Sequence, residues 1–89
     1  KDEVLQTEEL AAELIRFLAA NYPGVLENKY TITTAPDPYV MLGRIAESRH
    51  CLVRGNELDT EKAAMLLMDD FREGKIGRLT LEYPQTEEA

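Results

Sequence analysis

The sequence has no tryptophan, one cysteine, one histidine and two phenylalanines in 89 residues. A lone Cys51 excludes an internal disulfide, so packing must supply the stability, and a reducing, cytoplasmic setting is the expectation. His50 and Cys51 stand side by side with no second histidine or cysteine, which leaves a structural zinc site short of ligands. They are not a catalytic pair either, because adjacent residues on a helix do not face each other. Cys51 reads as a small core or boundary residue and His50 as its partly exposed neighbour. No run reaches the roughly 18 apolar residues that span a bilayer, and no signal peptide is visible, so no membrane partner is expected. Basic residues are scarce as well, 10 against 17 acidic, for a net charge of −7. That balance excludes a domain that coats nucleic acid with its whole surface.

The cations are unevenly placed. Residues 1–43 hold 3 basic and 7 acidic side chains, whereas 44–82 hold 7 and 8. Local basic patches are therefore confined to the second half. The chain is short enough for one domain, 1–89, with residues 1–6 and 84–89 read as flexible ends.

Helix signals dominate. In "TEELAAELIRFLAANYP" Thr7 reads as a cap, and Leu10, Leu14, Phe17 and Leu18, with Ala11 and Ile15 beside them, read as the buried face. "GVLENKY" gives a shorter helical turn, and "TITTAPDP" an ordered connector. Asp37-Pro38 is a cap followed by proline at the first helical position, opening "YVMLGRIAESRHC" with Tyr39, Leu42, Ile45, Ala46 and Arg49 on one stripe. A turn through Gly55 and Asn56 leads to Asp59, which caps "TEKAAMLLMDDFREG". Ala63, Leu66, Leu67, Met68 and Phe71 point inward there, and Gly74 stops the helix. "KIGRLTLEY" alternates and favours an extended segment. The fold class is all-α, a small bundle of three to five helices with a short extended C-terminal segment.

Little chemistry survives inspection. "GK" at Gly74-Lys75 fails as a phosphate loop, since that motif needs glycine where Asp69 stands and serine or threonine where Ile76 stands. Asp69-Asp70 and Glu8-Glu9 read as solvated helix faces. The four tyrosines read as buried rings with polar tips more readily than as base-stacking platforms. No catalytic residue, metal site or cofactor is expected in the domain, and it is not an enzyme on its own.

The stretch "IAESRHCLVRGNELDTEKAAMLLMDDFREGKIGRLTLE", residues 45–82, resembles the C-terminal domain of the YlqF/RbgA-type circularly permuted ribosome biogenesis GTPases. The likeness rests on Ile45-Ala46, Arg49, Cys51-Leu52, Gly55, Glu57, Asp59 and Lys62-Ala63-Ala64. It continues through Asp70-Phe71-Arg72, Gly74-Lys75, Gly77-Arg78 and Thr80-Leu81-Glu82. "LIRFLAANYPGVLENKY" extends it, and His50 departs from it, standing where the family pattern has glycine. The resemblance implies an ANTAR-like helical domain that contacts ribosomal RNA during late assembly of the large (50S) subunit. It would couple that contact to GTP hydrolysis by a GTPase domain absent from this chain, with GTP and Mg²⁺ belonging to the parent protein. Arg49, Arg54, Lys75 and Arg78 are the leading RNA-binding candidates, with Arg44, Lys62 and Arg72 behind them. For each, an internal salt bridge or a helix-end cation is the competing role. A second reading is a protein-interaction module that docks on its own GTPase domain or on ribosomal proteins.

Overall fold

The computed structural model describes residues 2–77, with side chains from Gln6 onward. Within that range the chain forms α1 (Asp2–Asn21), α2 (Val25–Tyr30), α3 (Pro38–Ser48), a 3₁₀ turn (Arg54–Asn56) and α4 (Thr60–Arg72). The all-α expectation holds. Of the segment 75–83 expected to be extended, 75–77 is described and is bent, with Ile76 buried and Gly77 left-handed at φ 61°; residues 78–83 and the end at 84–89 lie outside the described residues.

Two starts follow the capping signals. The Asp37 side chain accepts from the Tyr39 N–H at 2.9 Å, with Pro38 in the first turn of α3. Asp59 accepts from the Lys62 N–H at 3.0 Å. Each cap satisfies one donor that the first helical turn leaves open. Thr7, by contrast, is not a cap, because α1 is already helical from Asp2.

The helix ends are built alike. After α4, the Gly74 N–H donates to the Phe71 carbonyl and the Lys75 N–H to the Asp70 carbonyl, with Gly74 left-handed at φ 73°. After α3, the His50 N–H donates to Glu47 and the Cys51 N–H to Ala46, with His50 itself at φ 57°. This is the two-bond stop that favours glycine at the left-handed position. It also ends α3 at Ser48, three residues short of the expected Cys51. His50→Gly is expected to stabilise the domain by about 0.5–1 kcal/mol, the left-handed penalty outweighing glycine's extra chain entropy. An unchanged or lowered urea midpoint would count against that account.

The core is Ala11, Ile15, Leu18, Leu26, Tyr30, Met41, Leu42, Ile45, Ala46, Cys51, Ala63, Ala64, Leu67 and Ile76. α1 packs on α4, α3 and α2, and α3 packs on α4. Three inward assignments are corrected. On α1, Leu10 and Phe17 are 58% and 39% exposed, whereas Ala11, Ile15 and Leu18 of the expected face are buried. Tyr39 is 45% exposed, and Met41 takes the inward place on α3. On α4 the inward assignments hold: Ala63 and Leu67 are buried, Leu66, Met68 and Phe71 pack half-buried against the core, and Ala64 and Asp70 are buried as well.

Candidate nucleic-acid interface

Whether a cation can meet a phosphate depends on what already holds it. Arg44, on α3, lies against the connector: its Nη1 donates to the carbonyls of Thr33 and Thr34 at 3.3 Å each, and to the Thr33 hydroxyl. Arg49, just past α3, donates from Nη2 to the Lys29 carbonyl at 3.1 Å. That carbonyl lies in the last turn of α2, where acceptors lack helical partners. The Arg49 guanidinium also lies 4.9 Å from the centroid of the Tyr30 ring, within cation–π range. Both arginines are therefore tied into the fold.

Arg72 pairs with Asp69 one turn earlier on α4. The Lys75 Nζ lies 3.1 Å from Glu73 Oε1, and that hydrogen bond, with the glutamate charge behind it, raises the ammonium pKa above its ordinary value. These are exposed pairs, and such pairs are weak enough to exchange for another acceptor. Arg78 lies outside the described residues.

Arg54 and Lys62 differ. Between α3 and α4 the chain makes a small hairpin: Leu52 bridges Leu58, the Val53 N–H donates to Glu57 at 2.8 Å, and the Asp59 N–H donates to Cys51 at 2.7 Å. Arg54 stands at its tip, where Gly55 and Asn56 are both left-handed. The hairpin runs straight into the Asp59 cap, so the exposed Lys62 on the first turn of α4 belongs to the same unit. Among the described residues, neither side chain has a hydrogen bond or ion pair. Glu57, Asp59 and Glu61 share this stretch, so Arg54 and Lys62 act as individual donors and not as a basic field.

One polar cluster is absent from any reading of the sequence. The Tyr30 hydroxyl donates to Asp70 Oδ2 at 2.8 Å, with Tyr30 wholly buried and Asp70 9% exposed. Burial, then the bond to Asp70 and its charge, push the Tyr30 phenol well above its ordinary value, while Arg49 pulls the other way. Asp70 is thus a core acceptor and not part of a solvated face. Glu8 is likewise engaged, accepting from the Thr60 hydroxyl at 2.9 Å and joining the starts of α1 and α4. Neighbours on a helix point about 100° apart, and Asp70, not Asp69, shares the side of Ala63 and Leu67, while the partner that makes use of it lies 40 residues away.

The described residues contain no group of three or more His, Cys, Asp or Glu placed to hold a metal ion. None of the described helices is long and apolar enough to cross a membrane. A cavity of about 330 Å³ between α1, α2 and the connector is lined mainly by apolar side chains and lies apart from Arg54 and Lys62.

Over 86 residues the chain is 33% identical to the ribosome biogenesis GTPase A of Bacillus cereus, a match covering 96% of this chain and 29% of that protein. The proteins of the same name from Priestia megaterium and Bacillus pumilus are 34% and 32% identical, covering 99% and 97% of this chain and 31% of each relative. The chain therefore spans about a third of the length of the curated relatives it matches. No protein-family model and no solved structure matches it.

Proposed function

We propose, on the premise of a chain homologous over nearly its whole length to one part of the ribosome biogenesis GTPases A, that this is the ribosome-contacting C-terminal domain of such an enzyme. The GTPase chemistry, with GTP and Mg²⁺, would belong to a domain outside this chain. The contact is to ribosomal RNA of the large (50S) subunit late in its assembly, and it couples docking to GTP hydrolysis by that other domain.

The observation that carries this reading is the hairpin unit. Arg54 and Lys62 have no acceptor among the described residues, although acidic side chains outnumber basic ones across the chain. An arginine at a turn tip presents its donor fork to a phosphate, and a lysine beside it adds a point charge. Arg72, Lys75 and Arg78 are a second, weaker set, because Arg72 and Lys75 must first leave Asp69 and Glu73. Arg44 and Arg49 contribute by holding the scaffold.

Replacing Arg54 and Lys62 together by glutamine is expected to weaken binding to large-subunit particles by about tenfold at moderate salt. The log–log salt slope should fall by about 2, one unit for each phosphate that is no longer neutralised. Affinity and slope that match the parent chain at low salt would remove these residues from the interface. Arg49→Gln provides a contrast, since it should lower the unfolding midpoint and leave the salt slope in place.

A further inference from the structure

The structure assigns a second surface, on the α1–α2 side, to a basic polypeptide that inserts a large apolar side chain. α1 turns Leu10 and Phe17 outward, with half-buried Leu14, which also packs on the core, between them, although Ala11, Ile15 and Leu18 already meet its packing needs. The stripe ends at an aromatic pair, with the Phe17 and Tyr22 ring centroids 6.1 Å apart and their planes inclined at 58°. Tyr22 in turn lines the 330 Å³ cavity, whose walls include Ala19, Val25, Pro36 and Met41. An exposed apolar strip that runs into an apolar pocket has the form of a groove with an anchor site, where a few residues carry most of the binding energy.

Charge selects the occupant. Among the described side chains of α1, Glu8 is bonded to Thr60 and Glu13 is paired with Arg16, the one cation of the helix, at 2.8 Å, which leaves Glu9 unmatched. Glu9 and Glu13 flank the stripe, and Glu27 lines the cavity with Arg16. RNA is repelled by such a rim. A second copy of this chain, at −7, meets its own charge. Residues 78–89 of this chain hold three acidic side chains and one basic one, which also suits the rim poorly. A lysine- or arginine-rich protein segment is complementary, and electrostatic complementarity sets both the on-rate and the choice of partner.

The test titrates the 89-residue chain with a synthetic amphipathic lysine–leucine peptide, following backbone amide shifts and affinity. Two counterparts are run beside it, a lysine–serine peptide and a glutamate–leucine peptide. The lysine–leucine peptide is expected to shift signals of α1 and of residues 22–27, and to outbind both counterparts. Phe17→Ser, which removes an exposed ring, and Ala19→Trp, which blocks the cavity from an exposed position, should each weaken it about tenfold, the loss of one anchor. Circular dichroism should be unaltered in both. Several results would overturn the proposal: equal binding by the lysine–serine peptide, shifts confined to other elements, or an affinity that both variants leave unchanged. A dimer that Phe17→Ser dissociates would assign the groove to a second copy. A rise in affinity on removing residues 78–89 would assign it to the chain's own end.

Discussion

Asp70→Ala is expected to destabilise the domain by about 2–4 kcal/mol, a large share of the roughly 5–15 kcal/mol that holds a domain folded. The cause is the bond it removes. Tyr30 is fully buried and its hydroxyl donates to Asp70 at 2.8 Å, so the alanine variant leaves a donor with neither a protein partner nor water. A hydrogen bond to a charged acceptor contributes more than a neutral one, and stranding one partner costs more than removing both. Tyr30→Phe with Asp70→Ala should therefore be less destabilised than the two single losses added together, with a coupling of about 1–2 kcal/mol. Asp70→Asn keeps an acceptor and should fall between the parent and the alanine variant. Urea unfolding measures all four, and a loss below about 0.5 kcal/mol in Asp70→Ala, typical of a surface change, would show that the bond does not hold in solution.

The same cluster marks where reading the sequence stops. Asp37-Pro38 and Asp59 are legible as helix starts because the cap and the first turn lie within four residues of each other. Gly74 is legible as a stop for the same local reason. His50 is the inverse case: the backbone is left-handed there, φ 57°, and no glycine stands in the sequence to announce the turn. Tyr30 and Asp70 meet only because α2 and α4 are brought together, although Asp70, seven residues past Ala63 and three past Leu67, already falls on the inward face of α4 and Asp69 does not.

Leu10 and Phe17 drop out of the expected buried face of α1 for a physical reason. The helix carries two overlapping apolar stripes, and side-chain size favours the one with Leu10 and Phe17. Yet α1 packs on α4, and both helices present fully buried alanines, Ala11 and Ala12 on one, Ala63 and Ala64 on the other. Small residues at a helix contact let the axes come close, and spacing between helices follows the side chains between them. The larger stripe is left outside, where it lends itself to recognition. Among the cations, sequence position could not separate Arg49 from Arg54. An arginine meets a carbonyl, a ring face or a phosphate with the same fork, and only the fold decides which is in reach.

Ile76→Ala is expected to cost about 3 kcal/mol, although Ile76 lies beyond the last helix in a stretch that invites reading as a phosphate loop. Ile76 is fully buried in the core shared by α1, α3 and α4. Two glycines bring it there. Gly74 ends α4 in the left-handed region, and the Lys75 N–H returns to the Asp70 carbonyl at 2.8 Å, turning the chain back toward the bundle. Gly77 follows, again left-handed at φ 61°, where a Cβ would stand 2.9 Å from Val25 Cγ2 on α2. Gly77→Ala must then adopt a strained backbone and displace a branched side chain, for a cost of about 1–3 kcal/mol. Lys75→Ala should leave the unfolding midpoint in place, because its ion pair with Glu73 is exposed. This ordering separates a packed closure from a ligand loop. A phosphate loop would lose binding at Lys75 and tolerate a smaller side chain at Ile76, whereas a closure loses stability at Ile76 and Gly77 and tolerates Lys75→Ala. Guanidinium unfolding of the three variants decides between them, and an Ile76→Ala midpoint equal to that of Lys75→Ala would refute the closure.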